Sequence, residues 1–190
     1  MPHRLLGLRT LVLILVVITG SAFAASVLPL SLSQMTAQAG RIFIGKCVSV
    51  TVDLDENGIP STFARFEVEE GVKGADSGQT ILIKQFGALR TPLKVGEGES
   101  RVVPMKTISL AGGSYETGSE YLLFLYPESS LGFTSPVGAG QGRFEVKADS
   151  GPGLKTSFVA NPLDNRFLET FREGPVALPE MVKKIKEMVK

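Results

Sequence analysis

The chain has 190 residues, 43% hydrophobic and 21% charged, with 20 basic against 19 acidic side chains. Such a near-neutral balance gives no electrostatic case for binding nucleic acid or an anionic membrane surface. One cysteine, Cys47, excludes an internal disulfide, and one histidine, His3, leaves imidazole chemistry to a single residue near the start.

Residues 1–24 read as a secretory signal peptide. Arg4 and Arg9 give a basic start, Leu11–Ile18 is an unbroken apolar run, and Ala22 and Ala24 are the small residues a signal peptidase reads. The apolar run is shorter than the ~20 residues a spanning helix needs. No cysteine follows closely, which argues against lipid attachment. Cleavage after Ala24 leaves 166 residues; it removes Arg4, Arg9 and His3, so 18 basic face 19 acidic side chains, a net charge of −1. Without histidine, Ser-His-Asp and Cys-His catalysis and the usual catalytic zinc site are excluded. Carboxylate or Ser-Lys chemistry survives as a formal possibility. No later segment is long and apolar enough to span a bilayer. The expected location is therefore exported, periplasmic or extracellular, with no integral membrane segment and no nucleic-acid partner.

A short helix is expected before Gly40. Ser31 or Ser33 can cap it, Leu32, Met35 and Ala39 recur on one side, and Gly40 suits a left-handed stop. A strand follows from Arg41, with Ile42, Ile44, Val48, Val50, Val52 and Leu54 on one face and a kink or bulge near Gly45. Cys47 lies on the opposite face, as a small residue packed in a sheet. Asn57-Gly58 signals a hairpin turn. The same turn spells D-x-D-x-N-G from Asp53 to Gly58, the first half of a calcium loop, but Ala64 stands where the closing glutamate belongs. The turn reads as a hairpin, and no metal site is assigned.

The second strand, about Thr62–Glu70, alternates Ala64, Phe66 and Val68 with Arg65, Glu67 and Glu69, and Val72 beyond it reads as a small plug into the core. Thr80–Phe86, apolar on both faces through Ile81, Leu82 and Ile83, suits a covered, central strand. Gly87–Gly113 is broken by glycines and prolines, with a short strand at Arg101–Val103 or Thr107–Leu110. Glu97 and Glu99 in this loop read as a solvated pair rather than an acid/base pair. Thr117-Gly118 turns into Tyr121–Tyr126, a buried strand, and a hairpin of Gly132–Val137 with Gly142–Lys147 follows. Gly138–Gly142 reads as a flexible connection, since a strand rather than a helix follows it. Phe158, Phe167, Leu168 and Phe171 suggest that 150–174 packs down. Leu178, Val182, Ile185 and Val189 recur at helical spacing behind Pro179, opposite Lys183, Lys184, Lys186 and Lys190, as in a docking helix.

The order of these motifs is I-F-I-G-K-C-V-S-V, an acidic Asn-Gly hairpin, F-E-V-E-E-G-V-K-G, V-G-E-G-E, T-G-S-E-Y-L-L-F-L-Y, G-Q-G-R-F-E-V and L-P-E-M-V-K-K-I-K-E-M-V. It resembles a group of exported, uncharacterised bacterial proteins whose barrel looks like the OB-type fold of tissue inhibitors of metalloproteinases (TIMP-like), over roughly Leu30 to Val189. The resemblance implies a mainly β chain: one OB-like antiparallel β-barrel with a short N-terminal helix and a C-terminal amphipathic helix. The domains expected are the signal peptide 1–24, a barrel at 25–149 and an extension at 150–190 ending in the helix. Those inhibitors place an N-terminal cysteine on the target's zinc and carry several disulfides. Here Cys47 is internal and alone, so the inhibitory wedge does not carry over. The expected function is an exported, non-enzymatic binding module of unknown ligand, protein-binding or protease-associated, with another exported protein as its candidate partner, with no catalytic, cofactor-binding or metal residues and with its loops at Gly87–Ser100 and Gly138–Gln141 as binding regions. An envelope assembly protein, or a hydrolase using carboxylates or a Ser-Lys pair, is the alternative.

Overall fold

The computed structural model describes residues 28–87, 93–95, 101–103, 113–148, 157–160 and 176–190. The signal peptide, Glu97 and Glu99, Thr107–Leu110, and Phe167, Leu168 and Phe171 lie outside the described residues. The chain is mainly β. One antiparallel sheet contains β1 (Arg41–Leu54), β2 (Pro60–Lys73), β3 (Thr80–Phe86), β6 (Glu120–Leu125), β7 (Arg143–Ala148), β8 (Ser157–Ala160) and β9 (Val176–Ala177), in the order β3-β2-β1-β6-β7-β8-β9. A separate ladder pairs β4 (Leu93–Val95) with β5 (Arg101–Val103). Helices α1 (Leu32–Gln38) and α2 (Leu178–Val189) flank the sheet sequence at either end.

Ser31 caps α1. Its hydroxyl accepts from the Gln34 N–H at 3.2 Å while the Gln34 side chain accepts from the Ser31 N–H at 2.8 Å, a complete capping box. Gly40 is not a left-handed stop. The helix leaves through Ala39 in an extended conformation, and Gly40 is needed because a Cβ there would sit 3.0 Å from the Pro127 backbone.

The first strand is buried on both faces, not one, from Ile42 to Cys47. Ile42 and Ile44 join Leu32 and Met35 of α1, Met181 and Ile185 of α2, and Leu122 and Phe124 of β6 in one apolar cluster. Phe43 and Cys47 join Phe66, Ile83, Tyr121 and Leu123 in a second cluster on the other side. A bulge explains why the strand does not keep one parity. From Cys47 to Ser49 the partner advances only from Phe66 to Arg65, so Val48 is an extra residue on β1. Beyond it the faces exchange, and Val50 packs with Phe43 and Cys47 rather than with Ile44. The irregularity expected near Gly45 is present, with Glu69 of β2 as the extra residue. Gly45 itself lies under the neighbouring strand, where a Cβ would meet the Glu67 carbonyl oxygen at 2.7 Å. The apolar run of β6 has the same two-sided cause: Leu122 and Phe124 face the helices, Tyr121, Leu123 and Leu125 the second cluster.

Two further expectations fail. Strand β3 is not central: among the described residues it ends the sheet, its one ladder made with β2, and Leu82 is 51% exposed. Its apolar run misled because Ile81 and Ile83 face the core while Leu82 does not. Nor does Gly132–Val137 form a hairpin with β7, which pairs instead with β6 and β8. The 132–137 segment makes single bridges, Pro136 to Leu125 of β6 and Phe133 to Lys84 of β3. These two bridges run from the β6 side of the sheet to its β3 end.

Two strands within 150–190, β8 and β9, belong to the main sheet. Met181, Val182 and Ile185 of α2 are buried against α1 and β1, and Lys186 pairs with Glu70 of β2 at 2.6 Å, so the helix docks on its own chain. Truncating Ile185 to alanine should cost about 2–5 kcal/mol, the range for emptying a well-packed aliphatic site; denaturant unfolding of the two proteins measures it. An Ile185→Ala midpoint equal to that of the parent would mean that α2 does not help close the core.

Candidate functional site

Three segments meet at the free end of β3: the β1–β2 turn, the end of β3 itself, and residues 126–135. Asp55 builds the turn. Its Oδ1 accepts from the Asn57 N–H at 2.9 Å and the Ile59 N–H at 2.8 Å, and its carbonyl accepts from the Gly58 N–H at 2.9 Å. Gly58 has φ +73°, the conformation glycine adopts without strain; Asn57 does not need it. The other carboxylate oxygen, Oδ2, lies 2.8 Å from Lys84 Nζ. The Asp55 carboxylate is fully buried and the Lys84 side chain 10% exposed. Lys84 also donates to the Leu131 carbonyl at 3.0 Å and to Glu56 at 3.2 Å, and its ammonium sits 4.5 Å above the Phe133 ring. Two of its N–H donors are thus hydrogen-bonded, the Asp55 carboxylate stands in ion-pair contact, and an aromatic face lies beneath.

Burial alone would raise the Asp55 carboxyl, but the Lys84 ammonium and the Ile59 and Asn57 N–H groups outweigh it and hold the carboxyl below its usual value. Contact with Asp55 raises Lys84 against the effect of burial. Glu56 is lowered by its own backbone N–H and then by Lys84. The same carboxylates belong to the calcium-like motif. Asp53 Oδ1 accepts from the Leu54 N–H at 2.8 Å, and both Asp55 oxygens face donors, so the turn holds a lysine rather than a metal shell. Among the described residues no group of three His, Cys, Asp or Glu is placed to hold a metal ion.

Beside the ion pair is a cleft of about 210 Å³, lined by Gln85, Phe86, Tyr126, Pro127, Phe133, Thr134 and Ser135. Phe86 and Phe133 meet edge to face with centroids 6.2 Å apart. Thr134 fixes the loop to both neighbours: its N–H donates to the Lys84 carbonyl at 2.9 Å and its hydroxyl to the Tyr126 carbonyl at 2.7 Å. Gln85 is 2% exposed, and neither its Oε1 nor its Nε2 has a hydrogen-bond partner. A second hollow of about 190 Å³, lined by Gly40, Arg41, Leu125 and Glu128, shares Tyr126, Pro127 and Thr134 with the first. A wider, open basin of about 530 Å³ lies along α2 between Glu70 and Lys190.

No protein family, no characterised protein and no solved structure matches this chain. The site therefore has to be read from its own residues. Of the loops expected to bind, Gly138–Gln141 is tied to the start of the described chain. Gln141 is buried; its Oε1 accepts from the Leu30 N–H at 2.7 Å and its Nε2 donates to the Leu28 carbonyl at 3.0 Å. In the other loop only Leu93–Val95 is described between Gly87 and Ser100, paired with β5. Cys47 is fully buried, its thiol donates weakly to the Ser49 carbonyl at 3.8 Å, and burial pushes its pKa up, the state of an inert packing residue. Lys84 and Gln85 escaped the sequence reading. Their signal was I-L-I-K-Q-F, two adjacent polar residues in an apolar strand, one of which must face inward on either parity.

Lys84→Met should lower the urea midpoint at pH 7 by more than the Asp55→Asn/Lys84→Met double variant does, because the single variant strands a buried carboxylate. The sign with pH follows from the lowered Asp55 carboxyl: its stabilisation is complete above the usual carboxylate range and is lost as pH falls through the depressed value. Unfolding midpoints measured from pH 6 downward should therefore fall more steeply for the parent than for Asp55→Asn.

Proposed function

We propose that the protein is an exported, non-enzymatic binding module, built on an OB-like barrel of the TIMP-like kind, that holds another exported protein at the cleft between Phe86 and Phe133. The observation that carries this reading is the cleft's chemistry. Its walls include the Phe86 and Phe133 rings, and its three hydroxyl-bearing lining residues, Tyr126, Thr134 and Ser135, are uncharged. The charged groups next to it, Lys84, Asp55 and Glu56, are matched to one another. Neutral donors and acceptors in an apolar recess suit recognition, and a proton-transfer site would instead hold an unmatched titratable group.

The hydrolase alternative asks for a lysine able to take a proton from a serine. Lys84 is the buried lysine of this region, and its raised pKa keeps it protonated. The envelope-assembly alternative asks α2 to dock on another subunit, whereas its apolar side is seated on α1 and β1. Among the described residues no helix is long and apolar enough to cross a membrane.

The test uses immobilised protein and envelope or culture extract of the source cell. The parent should retain a small set of proteins, and Phe86→Asp should lose them. Phe86 is 54% exposed, so the substitution spares the core. Equal retention by the two baits, with both folded by circular dichroism, removes the cleft as the binding surface.

A further inference from the structure

Lys84 and Asp55 are placed for more than attraction. Lys84 Nζ touches the carboxylate at 2.8 Å, yet among the described residues Asp55 Oδ2 accepts no aligned hydrogen bond. The two oxygens of that carboxylate are unlike. Oδ1 accepts from two backbone N–H groups, of Asn57 at 2.9 Å and of Ile59 at 2.8 Å, whereas Oδ2 meets the lysine. Two N–H donors converging on one oxygen are an oxyanion hole, which holds the negative charge that gathers on Oδ1 when a nucleophile adds to Cγ. The nucleophile already in contact is Nζ. The pair is nearly closed to water, with the Asp55 side chain fully buried and that of Lys84 10% exposed. A group able to carry protons stands beside it: Glu56 Oε1 lies 3.2 Å from Nζ on a side chain that is 73% exposed.

We propose that Lys84 and Asp55 condense with loss of water into an amide, a cross-link between the β1–β2 turn and β3, with Glu56 as the proton carrier. A proton passes from Nζ to Oδ2, leaving an amine beside an uncharged carboxyl. The Nζ lone pair forms the bond to Cγ, and the C=O electrons move onto Oδ1, where the Asn57 and Ile59 N–H groups hold them. Glu56 takes one of the two protons left on Nζ and delivers it to Oδ2. The Cγ–Oδ2 bond breaks, water departs, the Oδ1 carbonyl re-forms, and one proton stays on the nitrogen. The product keeps its neighbours. Oδ1 still accepts both N–H groups, and the amide N–H has the Leu131 carbonyl, 3.0 Å from Nζ, to donate to.

The raised Lys84 and lowered Asp55 make the charged pair the ordinary state, so the uncharged pair that reacts is a minor one. The condensation is therefore slow, which an event occurring once per molecule tolerates. Holding amine and carboxyl in contact makes it intramolecular, and burial keeps away the water that would reverse it. A chain with one cysteine has no internal disulfide to brace it. An amide here constrains the unfolded chain as a disulfide does. The cross-link is independent of what the cleft binds.

The experiment is mass spectrometry of the purified protein kept folded at neutral pH. The intact mass should settle at one water below the sequence mass, while Lys84→Met keeps its full mass. Trypsin does not cut at an acylated lysine, so the digest should contain a branched peptide, 47–65 joined to 74–90. Glu56→Gln should link about a hundredfold more slowly, the lower end of what a positioned general base contributes. Linked molecules have no Asp55 carboxylate to titrate, so the acid dependence given for the ion pair belongs to the unlinked fraction and fades as the mass falls. The branched peptide is read on the parent alone, so a Lys84→Met protein that fails to fold leaves the test intact. A parent that keeps its full mass overturns the proposal. So does a loss of water confined to an unbranched peptide, which is a cyclic imide at an aspartate.

Discussion

Strands β1 and β6 are covered on both faces, and the other elements are arranged as their two covers. On one side α1 and α2 close over Ile42, Ile44, Leu122 and Phe124. On the other, β2 and β3 bend round to bring Phe66 and Ile83 against Phe43, Tyr121 and Leu123. Four aromatic rings, Phe43, Phe66, Tyr115 and Tyr121, meet edge to face in that second cluster with centroids 5.0 to 6.0 Å apart. Two-sided burial leaves the backbone little freedom to slide. A shift by one residue would exchange two different sets of side chains between two differently shaped spaces. The bulges at Val48 and Glu69 let a fourteen-residue strand serve both clusters while it bends.

The Lys84 corner solves a different problem. Among the described residues no second strand forms a ladder with β3 beyond β2, and the 131–134 segment is held at its end by the Lys84 ammonium on one carbonyl, by one backbone hydrogen bond from Thr134, and by two rings, Phe86 and Phe133. Removing the lysine from water is balanced by a carboxylate that is itself fixed by the turn it builds. The rigidity of the cleft floor and the geometry of the hairpin are therefore one arrangement. A recess formed in this way is preformed, which lowers the ordering cost of binding.

Much of the architecture was legible because it is local. The Ser31 cap, the Asn-Gly turn, the alternation of Ala64, Phe66 and Val68, and the helical spacing of Val182 and Ile185 are written within a few residues of one another. What was not legible depends on partners far along the chain. Whether Leu82 faces a core or solvent is set by whether a strand lies beyond β3. Whether Gly132–Val137 pairs with β7 is set by β8, which occupies that edge. The parity of β1 changes at Val48, an ordinary valine whose extra place in the ladder exists only relative to β2. The cleft was the least legible part. Its residues come from 85–86 and 126–135, and nothing in the sequence separates Gln85 from a polar residue facing water until the strand's neighbours are known. Asp55 was seen, but as half of a metal loop, because an oxygen that accepts backbone N–H groups and one that holds a cation call for the same residue type.

The Gln141 clamp has a consequence in time. Leu28 is held by a residue 113 positions later in the chain. A chain made from its N-terminus contains Leu28 long before Gln141, so the clamp cannot close until synthesis has passed β6. Until then Leu28 and Leu30 lack the two bonds that later tie them to the sheet, and the first described residues are among the last to be fixed.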